Sequence, residues 1–300
     1  MDEVTKLNEL LKRKDENTIV DFTLGLTNAQ RVEIRQKYQE QFQQDLLKDI
    51  DKYMSGDLLK TLQELYKDPI ELDADLLYKA MKGFGSNKEV ISEIACFRSL
   101  DRLNKVKEKF KEKYNKDLMN EINDETSGDL RTIVMKLMTE ERGTNENPDF
   151  ETCKKIAIEL YNAGTKKIGT DSNSFIKNFT TLSAKELQLV AKEHHRIYKR
   201  NILELIDGEF SSNDNELLKM ILYSLLSPSE YFARQIKKAV DGIGTDDDKL
   251  IRCIVTRADI DMKMIKKYYK QLFNVEMIVD VEDDTSGNYF KLLKGLIEKN

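Results

Sequence analysis

The chain has 300 residues, 34% of them charged and 40% hydrophobic, which is enough apolar material for a substantial core beneath a heavily solvated surface and excludes a disordered chain. Only 13 Gly and 3 Pro argue against an all-β fold of many turns and against collagen-like or linker-rich architecture, while the weight of Lys, Leu, Glu, Asp and Ile favours an all-α fold. The net charge of −5, from 49 basic and 54 acidic side chains, supplies no global attraction to nucleic acid.

Read from the amino end, Met1-Asp2-Glu3 is charged and lacks the apolar stretch of a secretory leader. The first segment, to residue 67, contains Lys12-Arg13-Lys14 and, near its end, Met54-Ser55-Gly56-Asp57. Pro69 opens the next segment, and Pro148 and Pro228 follow at intervals of 79 and 80 residues. Each proline comes just after a helix-ending stretch. Proline is tolerated in the first turn of a helix, so this spacing predicts equivalent helix starts in an internal repeat. Lys82-Gly83-Phe84-Gly85-Ser86-Asn87 returns 159 residues later as Asp241-Gly242-Ile243-Gly244-Thr245-Asp246. Asp124-Glu125-Thr126-Ser127-Gly128-Asp129 returns at the same interval as Asp283-Asp284-Thr285-Ser286-Gly287-Asn288. Between these copies, residues 163–171 carry a longer form of the glycine loop, and the polar stretch 139–149 reads as the one long linker.

Four units follow: 1–67, 68–141, 148–226 and 227–300. Each has room for four or five short helices. Ile265, Tyr268, Tyr269, Leu272 and Phe273 form one apolar stripe at helical spacing. Ser86-x-x-Glu89 and Thr245-x-x-Asp248 read as capping boxes opening the helices after the glycine loops.

A helix–Gly-x-Gly–helix turn can aim backbone carbonyls outward into one spot, because glycine accepts positive φ. A carboxylate brought there by another helix adds one or two oxygens, and calcium takes six to eight at about 2.3–2.6 Å. The plainer alternative is that the glycines merely cap one helix before the next. The spacing bears on that choice: 42 residues separate Gly83 from Glu125, Lys167 from Glu209, and Gly242 from Asp284. The first unit has neither half, with Leu11 and Arg13 in the glycine slots and Tyr53 in the acidic one.

Four units, the pattern Lys/Asp-Gly-x-Gly-Ser/Thr, and an acid three residues before the glycine of Thr-Ser-Gly together resemble the annexin family. The likeness runs over essentially the whole chain and is most specific in the second and fourth units; residues 26–31 and 246–257 are also similar to family segments. The resemblance implies five helices per repeat, four repeats in a curved disc, and calcium sites on its convex face that bridge the protein to anionic phospholipid. Matched residue by residue, the second repeat would ligate calcium through the carbonyls of Met81, Gly83 and Gly85 and the carboxylate of Glu125. The third would use Gly164, Lys167 and Gly169 with Glu209, and the fourth Val240, Gly242 and Gly244 with Asp284. Asp284 is shorter than the glutamate often found there, and Ser212 stands where the third repeat would carry the Thr-Ser-Gly glycine. No such site is expected in the first repeat.

Three carbonyls and one carboxylate leave a calcium shell unfilled and net positive, open to water or to a lipid headgroup oxygen. Calcium and membrane binding are then reciprocally coupled, with an expected affinity of about 10⁻⁴–10⁻³ M when no membrane is present. Phe84, Ile168 and Ile243 lie between the loop glycines or their equivalents. They suit shallow insertion at the lipid interface, unless they fold back onto the helices. Lys12-Arg13-Lys14 either meets acidic headgroups or is an ordinary solvated face. The competing expectation is a structural module of the same fold that docks cytoskeletal or other protein partners with little calcium dependence.

The remaining candidates are weaker. His194 and His195 point about 100° apart on a helix, cannot chelate one ion together, and are expected to face solvent. No metalloprotease, nucleophile-elbow, phosphate-loop or EF-hand pattern is present. Cys96, Cys153 and Cys253 are far apart, odd in number and set in apolar helical stretches, as reduced and unreactive thiols are. Arg98 and Arg257 occupy equivalent positions and are expected in buried ion pairs. Enzyme activity is not expected. No window approaches the roughly 18 apolar residues of a spanning helix, so the reading is of a soluble cytoplasmic protein, peripheral at membranes when calcium rises.

Overall fold

The computed structural model describes residues 2–83, 85–165, 170–210 and 212–299. Among these, twenty helices and no strand are found, five helices to a repeat. The first repeat holds α1 (Glu3–Arg13), α2 (Glu16–Leu24), α3 (Asn28–Phe42), α4 (Leu46–Tyr53) and α5 (Gly56–Leu65). The second holds α6 (Pro69–Met81), α7 (Lys88–Phe97), α8 (Leu100–Tyr114), α9 (Leu118–Glu125) and α10 (Gly128–Thr139). The third holds α11 (Phe150–Gly164), α12 (Ser172–Thr181), α13 (Ala184–Tyr198), α14 (Ile202–Glu209) and α15 (Ser212–Leu226). The fourth holds α16 (Pro228–Val240), α17 (Asp247–Arg257), α18 (Met262–Phe273), α19 (Met277–Asp284) and α20 (Gly287–Glu298).

Local chemistry sets the punctuation. The third helix of every repeat stops on a left-handed residue, Gln43, Asn115, Lys199 or Asn274, with φ between 53° and 56°. Asn accepts that region readily, whereas Gln and Lys cost of order 1 kcal/mol there, so the stop is imposed by the packing of the next helix. That next helix has eight residues in all four repeats. Pro69 and Pro228 open α6 and α16 as the spacing predicts, but Pro148 does not open α11: Asp149 caps that helix, accepting from the Thr152 N–H, and Phe150 is its first residue. The long connection before α11 is tied down, with Gly143 N donating to Thr181 O at 2.8 Å and Ser183 Oγ to Asn145 O at 2.7 Å. Despite the missing glycine, α15 begins at Ser212.

The helices gather into two compact units, one of residues Met1–Leu72 with Ser229–Asn300 and one of Asp73–Pro228. The first therefore combines repeats 1 and 4, the second repeats 2 and 3. Within each, the second and fifth helices make the joint: α2 packs on α20 and α5 on both α17 and α20, while α7 packs on α15 and α10 on both α12 and α15. Their facing side chains are largely aliphatic and buried, among them Val20, Leu62, Ile254 and Leu296 in the first unit and Ile91, Ile133, Ile176 and Leu218 in the second. Ile265 and Tyr269 of the apolar stripe on α18 are fully buried; Tyr268, Leu272 and Phe273 are half-buried.

His194 departs from expectation. It is fully buried, while His195 is exposed. It lies five residues before the left-handed Lys199, the register position held by Tyr38, Phe110 and Tyr269, all likewise buried. Tyr38 and Tyr269 donate their hydroxyls to Asp49 and Asp280, eleven residues on, at 2.7 and 2.6 Å. In repeat 3 that acidic position is Leu205. His194 Nδ1 instead donates to the Arg200 carbonyl at 2.8 Å, and Nε2 is buried without a partner. Burial holds its pKa below the ordinary imidazole value.

Candidate functional site

In repeat 2 the chain leaves α6 at Met81 and re-enters helix at Lys88; in repeat 4 it leaves α16 at Val240 and re-enters at Asp247. Both loops are closed by one bond, Asn87 N to Ala80 O at 2.7 Å and Asp246 N to Ala239 O at 2.8 Å. Gly83 and Gly85 have φ of 105° and 87°, and Gly242 and Gly244 of 118° and 85°. A Cβ at any of the four would meet no atom within 4 Å, so the glycines answer to the backbone path and not to crowding. The carbonyls of Met81, Gly83, Gly85, Val240, Gly242 and Gly244 accept no hydrogen bond from any described residue. Carbonyls at the end of a helix need an outside partner. Carbonyls without donors, clustered along one exposed glycine loop, are an oxygen donor set suited to a hard cation.

The matching acids come from the fourth helix of the same repeat. Glu125, Glu209 and Asp284 are each the last residue of their helix, α9, α14 and α19. A carboxylate there faces the negative end of the helix dipole, an unfavourable place without a compensating positive charge. One hydroxyl joins each loop to its acid. Ser86 Oγ donates to Glu125 O at 3.0 Å. Thr245 Oγ1 lies 3.2 Å from Asp284 O and 3.1 Å from its Oδ2, and Thr170 Oγ1 lies 3.1 Å from Glu209 O and 3.3 Å from its Oε2.

These hydroxyls correct the capping-box reading. The caps of α7 and α17 are Asn87 and Asp246, whose side chains accept from Val90 N and Lys249 N. Ser86 and Thr245, one residue earlier, reach across to the fourth helix instead. The sequence carried a signal for this: in three repeats a Ser or Thr precedes the acid by the same 39 residues.

Repeat 3 reaches a similar end by another route. Its loop is one residue longer, closed by Asp171 N to Ala163 O at 2.9 Å. Thr165 Oγ1 is 3.4 Å from Glu209 Oε1. A Cβ on Gly164 would sit 2.8 Å from Cγ and 2.9 Å from Cδ of Glu209, so here glycine makes room for the acid. Of the residues expected to act in this repeat, Gly164 and Glu209 are brought together. Lys167, Ile168 and Gly169 lie outside the described residues, as does Phe84 in repeat 2. Ile243, the remaining loop-tip residue, is fully exposed.

Repeat 1 has no comparable loop. Asp15 N bonds directly to Leu10 O at 3.2 Å, two residues shorter than in repeats 2 and 4, with Leu11 fully buried and Tyr53 at the acidic position. Lys12, Arg13 and Lys14 are exposed. Among the described residues no group of three or more His, Cys, Asp or Glu is placed to hold a metal ion, so a cation on this chain would depend on carbonyl oxygens.

Arg98 and Arg257 are both in buried ion pairs, with different partners. Arg98 Nε donates to Asp73 Oδ2 at 3.0 Å, and Arg102 donates to the same carboxylate. In repeat 4 the positions of Asp73 and Arg102 are Phe232 and Asp261. Arg257 lies 4.6 Å from the centre of the Phe232 ring and donates to Asp261 at 2.8 Å, so the acid has moved from the first helix of the repeat to the residue just before the third. Cys153 and Cys253 are buried, and burial pushes the Cys96 thiol up to about 12, away from nucleophilic use. No described helix is long and apolar enough to cross a membrane.

Four five-helix repeats, three of them tying a loop to a helix-terminal acid through one hydroxyl, define an all-α repeat protein. Comparison with known proteins gives that class its family. A sequence model described as Annexin matches residues 3–65, 72–137, 157–221 and 231–296. Annexin A13 of Mus musculus is 32% identical over 283 residues, covering 94% of this chain and 89% of that protein. Annexin A7 of Homo sapiens is 30% identical over 283 residues, but the chain spans only 58% of its length. Among solved structures, chicken annexin V in complex with Zn2+ superposes with a TM-score of 0.92 at 31% identity, over 99% of this chain and 95% of that one. A calcium-bound annexin (Sm)1 gives 0.83 at 26% identity, over 98% and 90%. The chain belongs to the annexin family.

Proposed function

We propose that this chain binds calcium in the loops of repeats 2, 3 and 4 and, when loaded, docks on anionic phospholipid. The family as a whole binds phospholipid in a calcium-dependent way and is generally non-enzymatic; what is proposed is that these particular loops do the work here. The observation that carries the reading is the threefold coincidence of an acid at a helix C-terminus, a hydroxyl tying it to the loop, and, in repeats 2 and 4, loop carbonyls with no donor.

The ligand sets are Met81, Gly83, Gly85 and Glu125; Gly164, Lys167, Gly169 and Glu209; and Val240, Gly242, Gly244 and Asp284. Bound calcium supplies positive charge at the surface and coordination positions that a headgroup phosphate or carboxylate oxygen can take. Ser86, Thr170 and Thr245 each bond the main-chain carbonyl of the acid, and Thr170 and Thr245 also reach its carboxylate, which keeps the end of the fourth helix beside the segment that follows the loop. Ile243, with Phe84 and Ile168 at the matching positions, enters the headgroup layer. Since ion and membrane share one site, each raises affinity for the other equally. The protein is then cytoplasmic and peripheral at membranes, and repeat 1 takes no calcium.

The test is co-sedimentation with phosphatidylserine vesicles. The chain is expected to pellet with calcium and to remain in the supernatant with excess chelator. Equal pelleting under the two conditions, or calcium-dependent pelleting retained by an E125Q/E209Q/D284N variant, would overturn the reading.

A further inference from the structure

The third helices of the four repeats end at the same register, yet α18, with 12 residues against 15 in the other three, has an unusual surface. In α3, Lys37 pairs with Glu33 at 2.6 Å; in α8, Lys105 pairs with Asp101 at 2.7 Å and Lys109 with Glu112 at 2.6 Å; in α13, Arg196 pairs with Glu193 at 2.7 Å. Helix α18 contains no acid at all. Its lysines, 263, 266, 267 and 270, stand three or four residues apart, so they repel one another along the helix. Lys263 and Lys267 are exposed and have no acidic partner among the described residues; Lys270 reaches Glu276, beyond the helix, at 3.3 Å.

The same surface exposes apolar side chains. Ile260 is 62% exposed and Met264 42%. In repeat register they take the places of Asp101 and Lys105, the partners of a salt bridge in repeat 2. Repeat 4 has therefore exchanged a solvated ion pair for two exposed hydrophobic groups next to the exposed Lys263 and Lys267. Folding does not ask for either change: Met262, Ile265 and Tyr269 already form the buried face of the helix.

The connectivity places this surface away from the loops. The loop of residues 241–246 meets the start of α17 and lies beside the end of α19. Helix α18 joins the opposite ends of those two helices, about 16 Å and about 12 Å away at 1.5 Å per residue. A bilayer seated on the loop of this repeat leaves it uncovered.

We infer that the surface made by Ile260, in the turn before α18, and by Met264, Lys263 and Lys267 on α18 docks an acidic amphipathic helix of a protein partner. Negative charge complements the lysines, and apolar side chains on the same helical stripe cover Ile260 and Met264. A polyanion such as nucleic acid would use the lysines and leave the apolar pair exposed. A bilayer seated on the loop of residues 241–246 meets the other ends of α17 and α19, so it does not cover this pair.

The test uses the full chain in chelator, so it is independent of the calcium reading. The probe is a fluorescein-labelled synthetic peptide bearing Glu and Leu on opposite helical faces, followed by anisotropy, with a shuffled peptide of the same composition as control. The helical peptide is expected to bind in a salt-sensitive way and the shuffled one to bind more weakly. I260D/M264K replaces two exposed apolar groups with the residue types of repeat 2, so it should leave the melting temperature nearly unchanged while weakening binding about tenfold. K263E/K267E weakens binding by a similar factor. Failure of the helical peptide to bind, equal binding of the shuffled peptide, or unchanged binding by both variants overturns the inference. So does chelator-resistant attachment to phosphatidylserine vesicles that is lost in I260D/M264K, which would make this a membrane surface.

Discussion

At Thr245 one hydroxyl proton faces two acceptors of the same residue, the carbonyl and the carboxylate of Asp284. Thr245→Val keeps the side-chain shape and removes the donor. One hydrogen bond contributes about 1 kcal/mol, so calcium affinity at the repeat 4 site should fall about fivefold. Calorimetric titration in an E125Q/E209Q background isolates that site, and Thr245→Ser, which keeps the hydroxyl donor that Ser86 supplies to the Glu125 carbonyl in repeat 2, should retain it. His194 gives a pH prediction of defined sign. Burial depresses its pKa below 6.5 in the folded chain, so below that pH the unfolded chain binds a proton that the folded one resists. Stability is therefore lost as pH falls through that value. His194→Phe, which copies Phe110 at the same register, should flatten the drop in urea midpoint between about pH 7.5 and pH 5.5. Both residues were misread from local sequence. Adjacent histidines in a basic stretch read as surface, and only the register shared with Tyr38, Phe110 and Tyr269 marks His194 as core.

Glycine serves different elements for different reasons. Gly242 sits at φ 118° in open space, so Gly242→Ala strains the backbone by about 1–3 kcal/mol. It should lower both the urea midpoint and calcium binding in repeat 4. Gly164 ends α11 at ordinary φ, against the side chain of Glu209. Gly164→Ala should displace that carboxylate, weakening calcium binding in repeat 3 while changing the midpoint in chelator by less than Gly242→Ala does. Helix caps are separable from both: Asp246→Ala removes the bond to Lys249 N and should cost about 1 kcal/mol of stability. At this scale the paired motifs and their intervals were legible in the sequence, because a repeated backbone turn needs the same small residues each time. The caps of α7 and α17 fall one residue later than the sequence reading placed them. Ser and Thr can cap a helix or reach across to a neighbour, and only the position of the fourth helix decides which.

The two compact units hold unequal shares of the proposed sites: repeats 2 and 3 bring two to one unit, repeats 1 and 4 bring one to the other. At calcium about ten times the dissociation constant, each site should add about 1.4 kcal/mol. Amide exchange in α7, α10 and α12 should therefore slow more on adding calcium than exchange in α17 and α20. Composition, proline spacing and the 159-residue echo by themselves determined the helical class, the fourfold repeat and the pairing of each loop with a distant acid. Those features are periodic, and periodicity survives in a linear string. Which repeats associate was decided by tertiary structure, through the buried faces of the second and fifth helices. So were the reach of Ser86, Thr170 and Thr245 to the ends of the fourth helices, the burial of His194, and the exposure of Ile260 and Met264. These depend on which side chains meet across repeats or along an unseen face, and short-range sequence does not encode such meetings.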